Sequence, residues 1–101
     1  MLPVIQNQRG EQHMPTILMT AKLEKPYADW AKAFDSHKSA REAAGIRAIY
    51  RGHQLDVPDT IHVLMSVPSM EVMEAFIAEH GETIKNSGHN VESTKVTVCS
   101  D

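Results

Sequence analysis

Thr60-Ile-His-Val-Leu-Met-Ser-Val67 divides its side chains by parity. Successive residues of an extended chain point to opposite faces, so Ile61, Val63, Met65 and Val67 share one side, and His62, Leu64 and Ser66 the other. One side is wholly apolar and the other is mixed. That pattern predicts a strand with helices on its apolar face and none on the other. Upstream, Thr16-Ile-Leu-Met-Thr-Ala-Lys-Leu23 alternates in the same way, with Leu18, Thr20 and Lys22 on the open side. Ile46 to Leu55 and Val91 to Cys99 read as two further strands. Asp56-Val-Pro-Asp59 has turn composition and joins the strand ending at Leu55 to the one starting at Thr60.

Two helices complete the pattern. Lys25-Pro26 opens the first, with proline suited to a first turn, and Gly45 ends it. Tyr27, Trp30, Ala31, Phe34 and Lys38 recur at helical spacing, and Trp30 and Phe34 are expected in the core. Asp35 and His37 read as part of a solvated face. Ser69 is the expected N-cap of the second helix, which lines up Met70, Met73, Phe76, Ile77 and Ile84. Gly81 should loosen that helix midway, and His80 just before it has a capping or pocket-edge role. The order βαββαβ predicts an α+β ferredoxin-like sandwich. Its antiparallel four-stranded sheet takes the order 4-1-3-2, with both helices on one face. Leu18, Ile49 and Leu64 then lie on a face the helices cannot cover, while Tyr50 is expected to face the helices. Pairing two such sheets would make a dimeric α+β barrel, so a homodimer is expected.

Composition narrows the function. With 101 residues there is room for one domain, read as residues 16–101 behind a polar N-terminal arm, 1–15, that lies against the domain or its partner. A chain this short buries only about two-thirds of its unfolded surface, which also favours pairing. The net charge of −3, with acids and bases interspersed, argues against a nucleic-acid partner. No apolar run reaches the roughly 18 residues of a membrane span, and the N-terminus lacks the basic start and apolar stretch of a signal peptide. Cytoplasmic localisation is the expectation. Cys99 stands alone, without an evident base, so neither a disulfide framework nor a thiol nucleophile is expected. No phosphate loop, nucleophile elbow or zinc helix motif occurs, and no cofactor or metal is expected.

The residues that suggest chemistry gather on the open face. If Asp56–Asp59 is a four-residue turn, Leu55 pairs with Thr60, His53 lies across from His62, and Arg51 lies opposite Leu64. Lys22, Arg51, His53 and His62 then share one mouth of the face, where like charges repel and a bound anion relieves them. A turn one residue longer or shorter would send His53 to the opposite face. A metal between His53 and His62 lacks a third ligand. The leading expectation is a ligand-binding lumen. Leu18, Ile49 and Leu64 would hold a hydrocarbon or ring, and Arg51 with His53 or His62 an acidic head, as in a fatty acid, with Lys22 and Thr20 also at the site. Two alternatives stand beside it. One is a cofactor-independent monooxygenase or isomerase with a histidine transferring the proton. The other is a structural or partner-binding dimer with a wet rim and Arg51 in an interface salt bridge.

The ordered set Lys25-Pro-Tyr-Ala-Asp-Trp30, Phe34-Asp35, Tyr50-Arg-Gly52 and Asp56-Val-Pro-Asp59 resembles a family of short uncharacterised proteins known mainly from marine microbial sequences. The likeness covers most of residues 16–98 and leaves the arm outside. More broadly the chain is similar to the dimeric α+β barrel superfamily, which includes antibiotic-biosynthesis monooxygenases, haem-degrading enzymes, muconolactone isomerases and stress-responsive proteins. That resemblance implies paired sheets enclosing a ligand cavity. The Asn, Trp and His set of the haem degraders has no match here, and fold kinship does not carry chemistry.

Overall fold

In a computed structural model the described residues are 14–100, and they form seven elements. These are β1 (Thr16–Leu23), α1 (Tyr27–Ser36), α2 (Lys38–Ala43), β2 (Arg47–His53), β3 (Thr60–Ser66), α3 (Met70–Asn86) and β4 (His89–Cys99). The sheet order is β2-β3-β1-β4, antiparallel throughout, as the alternation predicts. It is a ferredoxin-like α+β sandwich. Ile17, Met19, Ala21 and Leu23 of β1 and Ile61, Val63 and Met65 of β3 form the buried face. Trp30 and Ala31 of α1 and Phe76 of α3 close over them. Of the expected arm, all but Met14 and Pro15 lies outside the described residues; Pro15 accepts the Val67 N–H at 3.0 Å. Among the described residues no helix is long and apolar enough to cross a membrane.

The first helical stretch is two helices, not one. The chain breaks at His37, where the Ser36 hydroxyl donates to Ala33 O at 2.8 Å, a local bond that competes with helix continuation. Arg41 of α2 then donates to Phe34 O, a carbonyl in the last turn of α1, at 2.8 Å. At the end of α2, Gly45 takes φ +80 while its N–H reaches Glu42 O and that of Ile46 reaches Arg41 O, each at 2.9 Å. This is the paired bonding of a Schellman stop. The Ser69 hydroxyl caps α3 by accepting from Val72 N at 3.1 Å. The expected loosening of α3 falls at His80, whose φ −109 and ψ 17 are not helical, one residue before Gly81.

Register is where expectation and structure part. Gln54 N donates to Thr60 O at 2.9 Å, so Gln54 and not Leu55 closes the β2–β3 hairpin, and its connection is five residues long. His53 therefore pairs with Ile61, Gly52 with His62, Arg51 with Val63 and Tyr50 with Leu64. Arg51 and His53 turn to the helix side, and Tyr50 to the open side, each opposite to the sequence expectation. Between Ala48 and Tyr50 the register slips, and the half-exposed Ile49 sits at that irregularity.

Two glycines should respond oppositely to alanine. At Gly45 a Cβ would lie 2.8 Å from Pro68 Cγ on a backbone in the left-handed region, whereas at Gly81 nothing lies within 4 Å. Gly45→Ala should cost about 1–2 kcal/mol and lower Tm by several degrees. Gly81→Ala should add about 0.5–1 kcal/mol through helix propensity. Thermal melts of both variants check the pair, and equal shifts would contradict this account of the two backbones.

Candidate functional site

The open face keeps part of the predicted site. Leu18, Thr20 and Lys22 of β1 and His62 and Leu64 of β3 all lie on it, with Leu18 opposite Leu64 and Thr20 opposite His62. His62 stands between two side chains, with Nδ1 3.0 Å from Thr20 Oγ1 and Nε2 2.8 Å from Gln54 Oε1. The ring therefore donates from Nε2 to the amide oxygen and accepts the threonine hydroxyl at Nδ1. Lys22 faces Asp59 at 3.7 Å. Tyr50 folds its phenol over Gly52, the position opposite His62 where any side chain would collide with it.

Arg51 and His53 are elsewhere. Arg51 grips Asp35 of α1 with Nε to Oδ1 at 2.7 Å and Nη2 to Oδ2 at 2.5 Å, and its Nη1 donates to the Tyr27 hydroxyl at 2.7 Å. The guanidinium holds the Asp35 carboxyl below the usual carboxylate range, and the pair raises Arg51 in turn. His53 stands edge-on to the Tyr27 ring, 4.6 Å between centroids, and donates from Nδ1 to Gln54 O at 2.8 Å. The expected four-base mouth thus reduces to Lys22 and His62. Because His53 and His62 occupy opposite faces they cannot share a metal, and among the described residues no group of three His, Cys, Asp or Glu is placed to hold one.

A cavity that sequence reasoning missed lies on the helix side. Val96 and Val98 of β4 pair with Met19 and Ile17, so they face the helices, yet each stays 50% exposed. Among the described residues no helix covers these two side chains fully. Between this end of the sheet and α3 runs a cleft of about 730 Å³, floored by Ile17, Met19, Met65 and Val96 and walled by Trp30, Phe34, Met70, Met73, Phe76 and Ile77. Charged and titratable side chains also border it: the bases His37, Arg41, Lys85 and His89, and the acids Glu24, Glu74, Glu82 and Glu92.

For His37 and His89 the surroundings disfavour the protonated form. His37, at the α1–α2 break, has Nε2 3.2 Å from Nδ1 of His80 at the α3 kink. Burial, then His80 and Arg41, push its pKa down. His89 is buried beside Thr94, whose hydroxyl lies 2.7 Å from Nε2, and burial alone lowers it. Arg41 is 6% exposed, with its Cζ 3.8 Å above the Phe34 ring. The signal for these residues was present in the spacing. Trp30, Phe34, His37 and Arg41 fall at i, i+4, i+7 and i+11, so the buried stripe continues past Phe34 into two bases.

Beyond Arg41 and Phe34, which line both spaces, a second groove of about 550 Å³ opens against the edge strand β2. Its lining brings four cations, Lys38, Arg41, Arg47 and Arg51, against two carboxylates, Asp35 and Glu42. That end of the molecule is positive although the chain as a whole is negative.

The family that matches this chain, over residues 14–101, is described as a domain of unknown function (DUF3764). No curated protein matches. Among solved structures the chain resembles a Bacteroides thetaiotaomicron VPI-5482 protein classed as an antibiotic biosynthesis monooxygenase. Identity is 9% and the TM-score 0.55, with 91% of this chain and 90% of that one covered. At that identity the likeness shows the fold.

His37 and His89 have folded-state pKa values below the ordinary 6.5. The unfolded chain therefore takes up protons first. The stability these rings contribute is whole above about pH 6.5 and is lost as pH falls through it toward the folded values. Urea unfolding at pH 7.5 and 5.5 should show a loss in the acid, and His89→Gln, which can still bond Thr94, should lose less. An equal loss in variant and wild type would clear His89 of the effect.

Proposed function

The chain belongs to the DUF3764 family, and with that as premise we propose that it binds an apolar small molecule in the cleft between α3 and the sheet. The observation that carries this reading is the cleft itself. At about 730 Å³ it has the size of a small-molecule site, and its exposed lining is mostly apolar, with thioether and aromatic walls inside a border of charged and polar side chains. Methionine side chains such as Met65, Met70 and Met73 adapt to varied apolar shapes, which suits a ligand better than a fixed core would. The ligand-binding lumen expected on the open face gives way to this site because Arg51 and His53 do not face that lumen.

The open face has a different task in this reading, which is pairing with a second copy. Leu18 is 43% exposed and Tyr50 56%, on a surface that no helix covers. A homodimer built on Leu18, Leu64 and Tyr50 hides that surface, and His62 with its Thr20 and Gln54 partners becomes a satisfied polar spot within it. The fold shared with the Bacteroides protein supports a sheet that can pair in this way.

A second reading makes the cleft catalytic, as a cofactor-independent monooxygenase or isomerase. His37 favours it, as a neutral imidazole at the cleft wall, able to take a proton and oriented by His80. Under this reading His37→Asn abolishes turnover and leaves binding intact.

Binding of the uncharged, polarity-sensitive dye Nile red tests the cleft. Fluorescence should rise on binding to wild type, and Ile77→Trp, which adds bulk at the cleft wall, should weaken binding at least tenfold. Unchanged affinity in that variant would place the dye elsewhere and defeat the proposal. For the dimer, sedimentation at micromolar concentration should give twice the monomer mass, and Leu18→Arg should give the monomer. A wild type that sediments as monomer overturns the pairing.

A further inference from the structure

We propose that Arg41 anchors the anionic head of the cleft's ligand, so that the ligand class is an amphipathic anion such as a long-chain carboxylate. This rests on the cleft reading above and adds the head group to it. Arg41 is a buried guanidinium, 6% exposed, whereas the lysine and arginine ion pairs among the described residues lie near the surface. Its Nη1 donates to Phe34 O, and the Phe34 ring lies against its Cζ. Among the described residues it has no carboxylate partner. The two acids whose charge it feels are occupied, Asp35 by the fork of Arg51 and Glu42 by Lys38 at 3.8 Å. A guanidinium carries five donors, and one carbonyl uses one of them.

Position supports the assignment as much as charge does. Arg41 lines the apolar cleft on one side and the positive groove on the other. A carboxylate reaching it from the cleft has Arg47 beyond it on the groove side, while Glu24, Glu74, Glu82 and Glu92 border the cleft itself, so the anchor acts at short range on Arg41. The hydrocarbon meanwhile rests on Met65, Met70, Met73 and Phe76. A planar fork in apolar surroundings recognises two carboxylate oxygens where water competes weakly.

Displacement of Nile red by dodecanoate and by dodecanol, both below their aggregation limits, tests the anchor. The alcohol reports the cleft, and the ratio of the two reports Arg41. Wild type should prefer the acid by about tenfold to a hundredfold, the range for a hydrogen bond to a charged group. Arg41→Gln should bring the two ligands together. Arg41→Lys, which keeps the charge that serves the α1 end, should fall between, and it decides the matter if the glutamine variant does not fold. Equal displacement by acid and alcohol in wild type overturns the anchor and leaves the cleft standing. A preference that survives in both variants assigns the head group to another cation and also overturns it. Failure of both ligands to displace the dye removes the cleft and this inference together.

Discussion

A strand side chain has two choices of face, and the pairing of Gln54 with Thr60 makes that choice for β2 from Tyr50 to His53. Everything that joins α1 to the edge of the sheet follows from it. Arg51 turns under the helix layer and closes its fork on Asp35, His53 meets the edge of Tyr27, and Tyr50 goes outward over Gly52. The energy of the Arg51–Asp35 pair alone does not explain this arrangement. Asp35 is 58% exposed, and a pair so open to water is worth about 1 kcal/mol or less even with bidentate geometry. Register is enforced instead by Val63 and Ile61, fully buried across from Arg51 and His53, and by the backbone bonds of the hairpin.

A second constraint shapes the other end of the sheet. β4 is an edge strand whose helix-side residues Val96 and Val98 stay half open, because α3 stands away from them and bends at His80. The bend coincides with the His37–His80 bond, so the α1–α2 junction is tied to α3 at the point where each departs from helical geometry. The Phe76 ring stacks near both imidazoles, with centroids 5.6 Å from His37 and 4.4 Å from His80. Three rings thus pack together where α1, α2 and α3 meet, and two of them, His37 and Phe76, line the cleft.

How much of this was legible depended on whether a feature is periodic or counted. Alternation in 16–23 and 60–67 is periodic, and it placed Leu18, Thr20, Lys22, His62 and Leu64 on the face where the structure has them. Ser69 as a cap and the weakness near Gly81 are local chemistry and were equally readable. The position of Arg51 hung on a turn length, and Asp56-Val-Pro-Asp59 did not reveal that Leu55 belongs to the loop. An error of one residue there inverts a whole strand, which is why half of the basic cluster dissolved. The cleft was not legible, because the distance between α3 and β4 is a matter of tertiary packing. Its basic residues His37 and Arg41 were legible as a continuation of the Trp30–Phe34 stripe, but a stripe that turns from aromatic to basic reads as an emerging solvent face.

The two arginines differ in burial and in pairing, and the difference is what singles out Arg41 for the proposed role. Arg51 has every partner a guanidinium could want and sits near water, so its charge has little cost and its role is to fasten α1 to β2. Among the described residues Arg41 has one carbonyl and one aromatic face, and it is 6% exposed. Desolvating an unpaired ion costs several kcal/mol, and a cation over an aromatic ring returns about 2 kcal/mol. Capping the end of α1 adds about 1 kcal/mol more, since charge at a helix C-terminus is worth that order. Asp35 and Glu42 favour its charge from a distance, while each is paired with another cation. An anion at the proposed site would give this charge a direct partner where the apolar walls suit the rest of such a molecule.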